Sequence, residues 1–523
     1  MINNLNKKIL VALVFLLIAT NDRGIVIGGE LKKSKSKVNN SMSVDDEIKA
    51  LANFCVAVDF MYENKWGKAV EFLLKTLELD ERALKAHLYI SSCYFQLKQV
   101  EKSIIHLKKA GEISPDDFDI HFTLGNILQA NKNIDEAIKE FELAIGSGFG
   151  HNKRVVYADV LLNLAALYSR KGDSDKAISC LQAVIDLKIT DDTAKLQFEI
   201  GRLHYENGDI ENACNAFELI KNANPRSHTI SPYLALCYEA LKRYDDAIKE
   251  IKFFLKRLPN DWNQHLALHR IYTKTKDDSS ADKHQQKAIY ILIKSINIGS
   301  KDLNEYLTLA QLLLGKMDET GALNILQKGL GFCKDKAIEK DFHFMLSNVY
   351  YELNEYAKVE DELRKTLKID PELHQANNFL GYFLAQMGQN LDEAVELIKK
   401  ALKVNPENPA YIDSLGWAYF KKAHGDDKEN QIEFALNKLL EAAGLVEDSE
   451  IQEHLGDVYY SLGEWNKAEK EWVKGLGYLN DDKARSVSRL ARRIKWKVNK
   501  IRELRNFEEN KPNIMGRVKH LFN

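Results

Sequence analysis

Between Asn377 and Trp472 the chain alternates helix-length runs, in which apolar residues recur every three or four positions, with short polar turns. Three of these runs place a Leu-Gly pair near the middle, and the glycines Gly381, Gly416 and Gly456 lie 35 and 40 residues apart. Each is followed by an Ala in a second run. A period of this length predicts pairs of helices that stack on one another.

The same pattern extends over nearly the whole chain. Eleven of the twelve residues at the Gly-equivalent place are Gly, Ala or Ser, and the twelve are Ala57, Ser91, Gly125, Ala165, Gly201, Ala235, His269, Ala310, Ser347, Gly381, Gly416 and Gly456. Small residues suit a place where the two helices of one repeat cross closely, since a large side chain would push the backbones apart. Five repeat ends carry a proline, a residue that stops a helix: Pro115, Pro225, Pro259, Pro371 and Pro406.

A small residue, an aromatic residue, an Ala and a terminal Pro at this period resemble the tetratricopeptide repeat (TPR) family. The resemblance implies an all-α fold, a right-handed α-solenoid of about twelve helix-turn-helix repeats with a C-terminal capping helix. It also implies a non-enzymatic protein whose work is binding. The expected divisions are a signal peptide or anchor at 1–29, a polar linker at 30–45, repeats 1–3 at 46–150, repeats 4–7 at 151–300, repeats 8–12 at 301–482, and a basic capping helix with a tail at 483–523.

The N-terminus has the pattern of an export signal, because Lys7 and Lys8 precede an 11-residue apolar run at 9–19. We therefore expect an exported protein of the periplasm or cell envelope, with an uncleaved inner-membrane anchor as the alternative. The C-terminal phrases NFLGYFLAQMG, AYIDSLGWAYF and EHLGDVYYSLGEW look like those of exported repeat proteins of Gram-negative bacteria. If the N-terminus is not a signal, a cytosolic adaptor remains.

The charge is distributed unevenly. Residues 1–42 hold seven Lys or Arg against two acids, and residues 483–523 hold thirteen against three, although the whole chain has a net charge of -2. The repeat region between them is therefore strongly acidic, at about -17 by subtraction. An acidic surface repels the phosphate backbone, so we expect no nucleic-acid partner.

No motif indicates catalysis, a cofactor or a metal. The sequence lacks the GxSxG and phosphate-loop patterns. His265 and His269 have the i, i+4 spacing of metal ligands, but both occupy packing positions and no third ligand accompanies them. Among the six cysteines, none forms a CxxC motif, and a Cys214–Cys237 bridge is an open alternative to buried thiols.

The repeat resemblance implies that the first helix of each repeat lines a groove. Two residues of that helix point into the groove: the one directly after the Gly-equivalent place, and the one four positions before that residue. In the last four repeats these are Phe344, Asn348, Asn378, Tyr382, Asp413, Trp417, Glu453 and Asp457. Aromatic residues give a large contact area at a low entropy cost, which favours a peptide-binding strip. Its acids favour a neutral or basic segment, although the same side chains could instead solvate the groove or pack between repeats.

The segment after Asp482 predicts a helix with Val487, Leu490, Ile494, Val498, Ile501 and Leu504 on one apolar face. Such a helix can cap the last apolar edge of a solenoid. It is more basic than solubility requires, which leaves binding to an anionic membrane surface or an acidic partner as an alternative. The residues expected to carry that binding are Arg489, Arg493, Trp496 and Lys500.

The function expected from these observations is a scaffold or adaptor of the bacterial cell envelope that binds a partner segment in its groove. A periplasmic chaperone for extended clients is the second hypothesis. The two differ in their partners, since a scaffold holds a single stable partner and a chaperone binds many clients transiently.

Overall fold

The computed structural model describes residues 43–148, 154–189, 192–423, 428–479, 489–503 and 505. Every regular element in these residues is a helix, and none is a strand. The chain divides after Pro259 into two compact units, called here the N unit and the C unit.

The N unit contains the first twelve helices. They are α1 (Val44–Tyr62), α2 (Trp66–Leu79), α3 (Leu84–Gln96), α4 (Val100–Ile113), α5 (Phe118–Ala130), α6 (Ile134–Gly146), α7 (Arg154–Lys171), α8 (Ser174–Asp186), α9 (Ala194–Glu206), α10 (Ile210–Ala223), α11 (Ser231–Ala240) and α12 (Tyr244–Arg257). Each odd-numbered helix packs most closely against the next even-numbered one. The apolar core runs between successive pairs and includes buried Leu128, Phe141 and Leu167.

The C unit repeats this arrangement with twelve more helices. They are α13 (Trp262–Lys274), α14 (Asp278–Asn297), α15 (Leu303–Gly315), α16 (Glu319–Leu330), α17 (Lys336–Glu352), α18 (Tyr356–Ile369), α19 (His374–Met387), α20 (Leu391–Val404), α21 (Pro409–Lys422), α22 (Lys428–Leu445), α23 (Ser449–Ser461) and α24 (Trp465–Tyr478). A further helical segment at 489–503, the closing helix, packs on α24 through buried Ile494, Val498 and Ile501. The predicted all-α fold of stacked helix pairs is confirmed.

The small residues mark the closest approaches between paired helices. A Cβ atom added to Gly381 would lie 2.6 Å from the Ile398 side chain and 2.7 Å from the Ala394 carbonyl oxygen. One added to Gly456 would lie 2.4 Å from the Trp472 ring. Distances this short leave no room for a methyl group, so at these two positions the helices can cross as they do only with glycine.

The turns follow from equally local causes. Within each pair whose turn the structure describes, the turn contains a residue with positive φ, such as Asn354 at 59° and Gly388 at 67°, which reverses the chain in few residues. Between pairs, each of the five expected prolines lies two residues beyond the end of a helix, as Pro371 does after α18. The predicted role of these prolines at repeat ends agrees with these helix bounds.

A buried polar residue recurs four positions before the Gly-equivalent place, and its hydrogen bonds connect neighbouring elements of the repeats. His121 is hydrogen-bonded to Glu140 at 2.7 Å and to the Pro115 carbonyl oxygen at 2.9 Å. Asn377 in α19 donates to the Pro371 carbonyl oxygen at 2.9 Å. A buried side chain thus satisfies a carbonyl group of the preceding turn, which would otherwise lose its hydrogen bond to water.

His265 occupies the same recurring place, and its ring nitrogen lies 2.9 Å from a ring nitrogen of His284. His269 instead contacts the Ala281 carbonyl oxygen at 3.0 Å. The two histidines therefore engage different partners in the fold. Among the residues that the structure describes, no group of three or more His, Cys, Asp or Glu side chains is placed to hold a metal ion.

One further expectation concerns two of the cysteines. Cys214 and Cys237 are both free thiols, so the disulfide alternative is wrong.

Candidate protein-binding surface

The first helices of the last pairs lie side by side, since α19 contacts α21 and α21 contacts α23. Four of the predicted groove residues, Phe344, Asn348, Asn378 and Tyr382, are half-buried on α17 and α19 and are called here the open strip. The other four, Asp413, Trp417, Glu453 and Asp457, lie on α21 and α23 and are called the covered strip. All eight residues therefore lie on the first helices of the last four pairs.

Aromatic rings connect the open strip across two helices. The Phe344 ring on α17 meets the Phe379 ring on α19 edge-on, with 6.4 Å between their centroids. Tyr351 meets the same Phe379 ring at 5.6 Å and donates a hydrogen bond to the Gln386 side-chain oxygen at 3.0 Å. The side-chain nitrogen of Asn348 bonds to the Phe344 carbonyl oxygen at 2.8 Å. This strip offers flat apolar faces beside polar groups, the composition of many protein-binding surfaces.

A cavity of about 560 Å³ opens beside the open strip. Its aromatic walls are Tyr351, Tyr356, Phe379, Tyr382 and Tyr478. The polar lining comprises Asn354, Gln386, Glu447, Asp448, Ser449, Glu450, Arg489 and Arg493, and Leu479 and Leu490 complete it. The closing helix thus forms one wall of this cavity.

Glu450 is the carboxylate most closely linked to the aromatic wall. Its side chain accepts a hydrogen bond from the Tyr382 hydroxyl at 2.6 Å. Burial raises the pKa of Tyr382 well above its ordinary value, and the nearby charge of Glu450 raises it further. The pKa of Tyr351 is also raised, first by burial and then by Glu450. Both tyrosines therefore stay neutral donors beside a negative charge.

The covered strip is held in a buried polar cluster. Asp413 and Trp417 are only 5% and 8% exposed, and both contact His454. The His454 ring stacks on Trp417 with 4.1 Å between centroids, and its Nδ1 atom lies 3.0 Å from the Asp413 carboxylate. Burial alone would lower the pKa of His454, but Asp413, Glu450 and Glu453 outweigh it and raise that pKa to about 9. His454 is therefore a cation at neutral pH.

Burial raises the pKa of Asp413, and the charge of His454 offsets part of that increase. The stacked imidazolium ring also gains a cation–π contact with Trp417. Among the described residues, the buried Trp417 Nε1 and Asn378 Oδ1 atoms make no hydrogen bond. Such atoms are rare in folded proteins because each one forfeits a bond to water.

Basic residues of the closing helix cover the acids of this surface. Glu453, 1% exposed, accepts hydrogen bonds from Arg493 and from Lys497, the latter at 2.6 Å. Lys497 also donates to Asp457 at 2.6 Å. Burial would raise the pKa of Glu453, but its bonds to the two cations lower that pKa overall. The predicted groove acids thus already have basic partners within the chain.

The four residues of the predicted basic end, spaced i, i+4, i+7 and i+11, follow one side of the closing helix but have different partners. Arg489 donates to Glu352 on α17 at 2.6 Å, so it faces the open strip, as Arg493 faces the covered one. Trp496 is 61% exposed, and the Lys500 ammonium group lies 5.1 Å from the centre of its ring. No helix in the described part of the chain is both long enough and apolar enough to cross a membrane.

Sequence reasoning missed several residues of the site. His454 lies two places before Gly456, which is not one of the predicted groove positions. Its part in the site becomes visible only from its contact with the buried Asp413 carboxylate. Glu450 and Tyr351 belong to the ends of their helices, where the rule names no groove position. The opposite charges of the acidic repeats and the basic C-terminal segment could have indicated that a residue such as Lys497 pairs with an acid of the repeats. The choice of Glu453 as its partner depends on how the closing helix packs.

Family models described as tetratricopeptide repeat match this chain at residues 118–147, 158–188, 198–260 and 374–408. Three of the four segments each coincide with one helix pair, namely α5–α6, α7–α8 and α19–α20. The chain therefore carries tetratricopeptide repeats. Proteins built from these repeats are generally non-enzymatic scaffolds for protein–protein interaction.

Curated relatives match parts of the chain. A TPR repeat-containing protein of Pseudomonas aeruginosa is 32% identical over 29% of this chain and 24% of its own length. The RNA polymerase-associated protein CTR9 of Caenorhabditis elegans is 22% identical over 75% of this chain and 36% of its own length. The chain thus spans about a quarter to about a third of the length of these two relatives.

Solved structures that are similar to the chain include yeast Tom70, with 13% identity, a TM-score of 0.35 and coverage of 91% of this chain and 99% of that one. The APC/C hetero-tetramer Cut9-Hcn1 has 11% identity, a TM-score of 0.39 and coverage of 85% and 96%.

Proposed function

We propose that the protein is a scaffold or adaptor of the bacterial cell envelope and that it binds a segment of a partner protein along the open strip. The observation that supports this most is the tyrosine-walled cavity beside Phe344 and Phe379, which joins half-buried aromatic faces to polar groups. Aromatic side chains in such a setting supply most of the binding energy at protein interfaces. Asn348 and Asn378 add polar groups that can pair with a peptide backbone.

The partner segment is neutral or basic in this proposal. Three carboxylates, Glu447, Asp448 and Glu450, line the cavity, and its two arginines already face carboxylates of the chain. An acidic segment would meet repulsion from these groups, while a basic one would gain attraction. The covered strip is not available in the same way. The closing helix covers Glu453 and Asp457, and Asp413 and Trp417 are buried against His454.

Site-specific photo-crosslinking in the source cell tests this proposal. A probe at Asn348 reports on the open strip, and a matched probe at exposed Tyr290 on α14 serves as the control. One discrete adduct at Asn348, absent at Tyr290, is the expected result. Many different adducts at Asn348 would favour the chaperone for extended clients, and the same adducts at both positions would contradict the proposed surface.

The envelope location is part of the proposal and depends on residues 1–42, which lie outside the described residues. The basic start at Lys7 and Lys8 and the apolar run at 9–19 support export. Fusing a reporter enzyme that is active only outside the cytoplasm to the chain after residue 45 tests it. Activity that is lost when Leu16 is replaced by Lys supports export, and an inactive fusion favours the cytosolic adaptor.

Binding to an anionic membrane surface is a second candidate function, and one observation favours it. On the outward face of the closing helix, Trp496 is exposed beside exposed Lys495 and Lys500. A tryptophan flanked by lysines suits the boundary between lipid headgroups and acyl chains. Sedimentation with vesicles that contain anionic lipid, compared with neutral vesicles, tests this candidate.

A further inference from the structure

We propose that the cavity beside the open strip is a receptor for a cationic side chain, a Lys or Arg presented by a basic segment of the partner. This inference rests on the proposed function and adds the chemistry of the residue that anchors the partner. Three features carry it: the arrangement of the aromatic walls, the charge of the lining, and the prior engagement of the two arginines.

The aromatic walls have the geometry of a cation-binding cage. The Tyr351 and Phe379 rings lie at 76° to each other, with 5.6 Å between their centroids. Tyr356 adds a third ring, 6.1 Å from Tyr351 and tilted by 55°. Rings at steep mutual angles present their negative faces from different sides, and such cages hold ammonium and guanidinium groups through cation–π attraction.

A carboxylate lines the same cavity as these rings. Glu450 is half-buried and accepts a hydrogen bond from the neutral Tyr382 hydroxyl at 2.6 Å. No ion pair of Glu450 with a Lys or Arg occurs among the described residues. Glu450 lines the cavity, so a cation that entered it would be held both by the rings and by a charge-assisted hydrogen bond.

The two arginines of the lining do not make the cavity a site for anions. Arg489 donates to Glu352 and to the Asn354 side-chain oxygen, and Arg493 makes two bonds to Glu453. Each guanidinium group is therefore paired with a carboxylate. Glu447 and Asp448 at the rim add further negative charge, so a basic segment would approach an attractive field.

Fluorescence anisotropy with the full chain tests the inference. The probe is a labelled twelve-residue peptide of four Lys-Ala-Ala units, and its counterpart carries Glu in place of Lys. We expect the lysine peptide to bind at least about tenfold more tightly than the glutamate peptide at 0.15 M salt. Glu450→Gln should weaken the lysine peptide about tenfold, and Tyr351→Leu about fivefold.

The matched control is Glu407→Gln, which removes an exposed carboxylate in the turn after α20 and should change the affinity less than about twofold. Thermal unfolding of each variant shows whether it is folded, and in Glu450→Gln the Tyr382 hydroxyl can still donate to the new amide oxygen. Equal weakening by Glu450→Gln and Glu407→Gln would overturn the inference. Tighter binding of the glutamate peptide would overturn it as well.

Crosslinking at Asn348 separates this inference from the function on which it rests. If the adduct at Asn348 persists at full strength in Glu450→Gln cells, the surface binds a partner but the cation receptor is wrong. If no adduct forms at Asn348 even in the unaltered protein, the proposed function itself fails. A specific adduct that weakens in Glu450→Gln and not in Glu407→Gln supports both.

Discussion

The open strip and the covered strip of the C unit follow from one sequence rule but have different surroundings. Phe344 and Asn378 are half-buried beside a cavity, whereas Asp413 and Glu453 are 5% and 1% exposed. The repeats that carry the two strips are built alike. The difference arises from what packs on each strip. His454 of α23 packs on Asp413, and the closing helix, which comes from outside the repeats, binds Glu453.

The covered strip shows what kind of segment this surface accepts. An amphipathic helix lies there with apolar Ile494 and Val498 turned to the core and Lys497 turned to Glu453 and Asp457. Because the closing helix belongs to the same chain, it meets the acids at a high effective concentration. A partner gains more from the open strip, where no segment of the described chain has to be displaced.

The largest effect we predict comes from removing the acid that anchors the closing helix. Glu453→Ala leaves Arg493 and Lys497 without their shared carboxylate, and we expect the C unit to lose about 2–3 kcal/mol of unfolding free energy. Urea unfolding measures the loss. Limited proteolysis should also cleave the closing helix faster, because fewer contacts hold it in place.

A matched control is Glu396→Gln, since the Glu396 side chain is 70% exposed and pairs with Lys399 on the surface of α20. Its effect should stay below about 0.5 kcal/mol. If Glu453→Ala costs no more than this control, the closing helix is not held by its charges, and the contrast between the two strips needs another cause.

The next effect is a pH dependence confined to the covered strip. The folded pKa of His454 is about 9 and its ordinary value is 6.5, so charged His454 stabilises the fold fully below about pH 6.5. This stability is lost as the pH rises through 9, and we expect a loss of about 2–3 kcal/mol. Unfolding free energies measured between pH 6 and 10 test it.

His454→Gln is the control for this pH profile, because the amide cannot take up the proton. The variant should be less stable at pH 6 and should lose less stability than the unaltered protein between pH 6.5 and 9. Parallel profiles for the two proteins would show that the Asp413–His454 pair is not the source of the dependence.

A smaller effect is expected at the edge of the open strip. Tyr382→Phe removes the hydroxyl that donates to Glu450, and we expect a loss of about 1 kcal/mol in unfolding free energy. Urea unfolding at pH 7 measures it. Tyr290→Phe on α14 is the control, since Tyr290 is 59% exposed and its change should be negligible. Equal effects of the two variants would mean that the hydrogen bond between Tyr382 and Glu450 does not stabilise the fold.

The sequence was sufficient for the fold because its signals are local. Gly381 and Gly456 sit where helices cross, and Pro371 follows a helix end, so spacing alone located the helix pairs. The strips were only partly predictable. Whether Phe344 stays accessible while Glu453 is covered depends on where a segment some forty residues away docks, as the Lys497–Glu453 contact shows. The repeat pattern holds no information on such a contact.

The smallest effect concerns the outward face of the closing helix and leaves both strips intact. Trp496 is 61% exposed, so Trp496→Ala should change the unfolding free energy by less than about 0.5 kcal/mol. The same variant should weaken sedimentation with anionic vesicles several-fold if this face meets a membrane, because the ring supplies the apolar contact. Lys500→Gln should lower the salt sensitivity of what remains, because one fewer charge is attracted to the anionic surface. Unchanged vesicle binding in Trp496→Ala would remove the membrane candidate and leave the open strip as the surface that binds.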